Sequence, residues 1–144
     1  DVQSHLRLSD APIWSDLIPE GETDLIISME PMEALRYVPC LSREGAVVSA
    51  STPFVNIPDY PSEESVKAEL QALPKAKIID IDALAREAGS PRSANMVLLG
   101  AAARNIGILS LDSLKDAVRV IFAAKGEAVV ESNINALQLG YDME

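Results

Sequence analysis

The sequence predicts an α/β fold: a three-layer, mostly parallel sheet flanked by helices, with a helical run towards the C-terminal end. Three observations carry that prediction. Short apolar runs of strand length alternate with stretches of helical spacing. The run Gly45-Ala-Val-Val-Ser-Ala-Ser51 is apolar or small on both faces, as in a parallel sheet covered on each side. From Ser93 onward, helical spacing repeats with no further strand signal.

The organising unit is Asp24-Leu-Ile-Ile-Ser-Met-Glu-Pro-Met-Glu-Ala-Leu-Arg36. Leu25–Met29 is too short for a helix of its own and reads as a buried strand. Pro31 suits the first position of a helix, where no N–H is needed. Glu30 and Glu33 place negative charge at the positive end of the helix dipole. Met32, Leu35 and Val38 follow at helical spacing. A strand thus runs into a helix, and ligands of open α/β sheets sit at such carboxyl ends.

Upstream, Val2, Leu6 and Leu8 alternate with His5 and Arg7, which predicts a half-buried strand over residues 2–8. Ser9–Pro12 is turn chemistry. Ile13–Leu17 reads as a short strand or an irregular return. Residues 52–61 hold three of the nine prolines and form an extended loop. Ser62 caps a helix carrying Val66, Leu70 and Leu73, which ends at Pro74. Lys75–Asp82 is the next strand, followed by a short helix that Asp82 can cap. Asp80 and Asp82 together are a weak candidate for Mg²⁺, set against a simple cap. Met96–Arg104 is apolar nearly all round and therefore buried. Its small residues Gly100–Ala103 fit tight packing on the sheet or a helix pair across a subunit interface. Ser110 caps a helix with the stripe Leu114, Ala117, Val118 and Ile121. A last helix spans about Glu127–Tyr141, interrupted at Asn133 and Asn135, with Val129, Val130, Ile134, Leu137 and Tyr141 inward.

Composition narrows the function. At 144 residues the chain is one domain, 1–144, and can bury about 70% of its unfolded surface. No run of about 18 apolar residues exists to span a membrane. The first residues lack the basic and apolar regions of a signal peptide, and there is no initiating Met, so a processed product or fragment is expected. The net charge of −10 opposes nucleic-acid binding. The single Cys, Cys40, reads as a small buried hydrophobe in a reducing, cytoplasmic setting. One Cys and one His cannot supply the four or so ligands of a cluster or structural zinc. Nucleotide loops and a nucleophile elbow are absent, so the residues suit a domain that assists chemistry held elsewhere.

Ser4-His-Leu-Arg7, the Asp24–Arg36 unit, Tyr60-Pro61, Ile81-Asp82-Ala83 and Asn95-Met-Val-Leu-Leu-Gly-Ala-Ala102 occur in this order. Together they resemble the gamma-type domain of 2-oxoacid:ferredoxin oxidoreductases over nearly the whole chain. Leu17-Ile-Pro-Glu-Gly-Glu-Thr-Asp24 leans towards indolepyruvate-type members. The resemblance implies a Rossmann-like fold and an accessory subunit, inactive alone. Its partner would be a large subunit carrying thiamine diphosphate and iron–sulfur clusters. Together they would decarboxylate an arylpyruvate oxidatively to an acyl-CoA and pass electrons to ferredoxin. No cofactor is expected on this chain, and no catalytic residue. His5, Arg7, Glu30 and Asn95 lie in matching segments at predicted element ends and are the candidates for facing a partner or its active site. The family's initial strand and Gly-rich loop have no counterpart here. The domain is therefore expected to be truncated on its N-terminal side, with an open sheet edge or groove. Two other readings stand beside this one: a free-standing small-molecule or nucleotide-binding domain, and a structural homodimer built on the Gly100–Ala103 helix.

Overall fold

A computed structural model describes residues 2–143. The elements are β1 (Thr23–Ser28), α1 (Pro31–Tyr37), β2 (Leu41–Ala50), α2 (Glu63–Gln71), β3 (Ala76–Ile79), α3 (Ile81–Glu87), α4 (Ala94–Ala102), α5 (Leu111–Ile121) and α6 (Glu127–Tyr141). The three strands pair in parallel in the order β1-β2-β3. Leu25 to Ser28 align with Ala46 to Ser49, and Val47 to Ala50 align with Ala76 to Ile79.

β2 is the centre of the sheet, and Ala46–Ala50 are buried throughout. Its alternate side chains feed two cores. Val47 packs with Ala34, Val66 and Leu70 under α1 and α2. Val48 and Ala50 pack with Ile79, Ala85, Val97, Leu98, Ala101 and Ala136 under α3, α4 and α6. Both faces are covered, which gives the three expected layers and explains the unbroken apolar run. At the entry to β2 the register slips, so that Thr23 and Leu25 face Leu41 and Ala46. Gly45 sits in this slip. A Cβ there would lie 2.7 Å from the Thr23 carbonyl oxygen, so no larger residue fits.

β1 is not central, as the strand-to-helix unit suggested. Like β3 it is an edge strand, and Ile27, and Met29 just beyond it, are exposed. Residues 2–8 form no strand. They are irregular, and Val2, Leu6 and Leu8 are exposed. Ile13–Leu17 is the irregular return.

α4 is buried on most of its surface, but its small residues serve neither the sheet alone nor a second subunit. They meet α6. A Cβ on Gly100 would fall within 2.9 Å of Leu137 Cα, and one on Gly140 within 2.9 Å of Ala101 N. Residue numbers fall on α6 as they rise on α4, so the pair is antiparallel. The Gly100 face is thus enclosed within the chain, which removes it as a dimer contact.

Other expectations shift locally. Asp80, not Asp82, caps α3: its Oδ1 accepts the Ala83 N–H at 3.0 Å, because the helix starts directly after the strand. Ser62 and Ser110 cap α2 and α5 as expected. Of the α5 stripe only Val118 is fully buried, while Ala117 and Ile121 are exposed, because α5 packs chiefly on α6. α6 runs unbroken through Asn133, whose Nδ2 donates to the Val129 carbonyl at 2.8 Å. Its deepest residues are Ala136, Leu137, Gly140 and Asn133. Cys40 is half-buried just before β2.

Candidate functional site

The sharpest polar construction lies where β1 ends. Ser28 Oγ donates to the Glu30 carbonyl at 2.6 Å and turns the chain out of the sheet. Glu30 stays extended (φ −147°, ψ 130°) while Pro31 begins α1. Its Oε2 then accepts the Glu33 N–H at 2.8 Å, closing the helix end. Its Oε1 turns the other way. It accepts the Tyr60 hydroxyl and, at 3.4 Å, the Phe54 N–H. One carboxylate therefore joins α1 to both halves of the Pro-rich loop. Burial first, and then the hydrogen bond and charge of Glu30, hold the Tyr60 phenol well above its ordinary range. The turn and loop around Glu30 present Met29, Phe54 and Val55 to solvent.

A cleft of about 370 Å³ opens beside this loop, lined by Ser51, Thr52, Tyr60, Lys67 and Asp80 among others. It lies at the carboxyl ends of β2 and β3, where the fold class puts ligands. No Gly-rich cradle lines it, and Asp80 is engaged in capping α3. Among the described residues no three His, Cys, Asp or Glu side chains gather to hold a metal ion. With one Cys in the chain, this donor set does not fit an iron–sulfur cluster.

The four candidate residues fall into three separate sets of contacts. His5 and Arg7 belong together. The His5 Nδ1 accepts the Ile18 N–H at 3.0 Å, and Arg7 donates to the carbonyls of Ser15 (2.7 Å) and Leu17 (3.3 Å). They fold residues 2–18 back on themselves. Glu30 stands in its own set with Tyr60. Asn95 lies exposed in the first turn of α4, its Oδ1 accepting the Met96 N–H at 3.0 Å. Sequence reasoning did not pair Tyr60 with Glu30. Thirty residues separate them, and no periodicity links a strand end to a loop tyrosine.

Residues 1–143 match the family described as pyruvate ferredoxin/flavodoxin oxidoreductase. The chain is also similar to proteins named indolepyruvate oxidoreductase subunit IorB. Identity is 33% to that of Pyrococcus horikoshii and 31% to that of Thermococcus kodakarensis, each over 96% of this chain and 71% of the relative. It is 28% to that of Archaeoglobus fulgidus, over 98% of this chain and 72% of the relative.

Proposed function

Since the chain belongs to the pyruvate ferredoxin/flavodoxin oxidoreductase family, we propose that it is the accessory subunit of a 2-oxoacid:ferredoxin oxidoreductase acting on indolepyruvate or related arylpyruvates. The family match over nearly the whole chain carries this reading. The residues support it: the carboxylates that sequence reasoning singled out at element ends, Glu30 and Asp80, are engaged in capping, and the donor set suits no cluster. In this reading thiamine diphosphate and the clusters belong to a larger partner subunit, which performs the decarboxylation to acyl-CoA and the electron transfer. This chain binds no cofactor of its own. It shapes the assembly, with His5 and Arg7, Glu30, and Asn95 on the faces turned to the partner. The gamma-type domain spans the whole chain and works in the cytoplasm. Among the described residues no helix is long and apolar enough to cross a membrane.

The test is reconstitution. The chain and the cognate large subunit are assayed separately and mixed, following arylpyruvate- and CoA-dependent reduction of ferredoxin. Activity is expected only in the mixture. Oxidation of arylpyruvates by this chain alone, or failure of the two subunits to associate, would refute the proposal.

A further inference from the structure

We draw no further inference here: the strongest candidate, the cleft of about 370 Å³ at the carboxyl ends of β2 and β3, belongs to the site already described, and its lining sets Lys67 against Glu63, Glu64 and Asp80, so that it selects no one class of ligand.

Discussion

Gly140→Ala tests the packing that closes the sheet's second face. In an exposed helix this change would stabilise, since Ala gains about 1 kcal/mol over Gly in helix propensity. Here the added methyl has no room. It would lie 2.8 Å from the Val97 carbonyl carbon and 2.9 Å from Ala101 N, and nearer still to the Val97 oxygen. Ordinary carbon contacts need roughly 3.5–4.0 Å. The obstacle is backbone, so no rotamer change relieves it, and α4 and α6 must move apart by on the order of 1 Å. Overpacking of that kind costs about 1–3 kcal/mol. The upper end applies when two backbones must separate, because Leu98, Ala101 and Ala136 then lose contact with the same core. Net of propensity, about 2 kcal/mol of destabilisation is expected. For 144 residues the unfolding entropy is about 0.3 kcal/mol/K, so Tm should fall by about 7 °C. Thermal and urea unfolding followed by circular dichroism measure this. Gly107→Ala is the control: a Cβ there meets nothing within 4 Å. A Gly140→Ala protein as stable as the parent, or more so, would refute the close helix approach.

The Glu30 junction should behave as one coupled unit. Glu30→Ala should cost about 1–2 kcal/mol for the lost cap, and more for the stranded Tyr60 hydroxyl. A urea double-mutant cycle with Tyr60→Phe should give a coupling of about 0.5–3 kcal/mol, and additivity would contradict the shared contact. The raised Tyr60 pKa gives a pH signature. The folded state holds the phenolic proton more tightly than the unfolded chain, whose value lies near 10.0. That stabilisation is complete below this pH and is lost progressively as pH rises above it towards the higher folded value. Stability should therefore fall more steeply above it in the parent than in Tyr60→Phe, as read by urea midpoints across alkaline pH. At α3, Asp80→Ala should cost about 1 kcal/mol as a lost cap, while Asp82→Ala should stay within about 0.5 kcal/mol. A Tm rise with millimolar Mg²⁺ that Asp80→Ala abolished would show metal binding instead.

How much was legible depended on whether the information was local. The run around Val47 and Val48 read correctly as a doubly covered strand, because burial on both faces leaves a compositional mark. Ser62 and Ser110 read correctly because a cap acts over three residues. Asp80 was missed by two positions, since either aspartate could have closed α3. Alternation at residues 2–8 read as a half-buried strand, yet the segment forms no strand and is exposed, because period two does not say whether a strand partner exists. The apolar character of α4 revealed burial without revealing that α6 was the partner, for Gly100 and Gly140 meet only in three dimensions. The α5 stripe read as core-facing, yet the helix packs chiefly on α6 and leaves Ile121 exposed. The Glu30–Tyr60 contact had no local signal at all.

The carboxyl end of the sheet also argues about where chemistry is held. In α/β proteins that grip anions there, the first N–H groups of the following helix are left open to the ligand. Here each helix that follows a strand is closed by its own side chain: α1 by Glu30, α2 by Ser62 and α3 by Asp80. A phosphate could reach those N–H groups only by displacing a cap, and at α1 it would meet a carboxylate. Nor is Glu30 placed to act as a base. To take a substrate proton it would have to release Tyr60, Phe54 or Glu33, and each release loosens the loop or the helix. What this end offers instead is a fixed surface: Met29, Phe54 and Val55, exposed in the turn and loop that one carboxylate holds together. Such a surface can orient a neighbouring subunit without taking part in proton transfer. A surface of that kind is what the proposed accessory role requires.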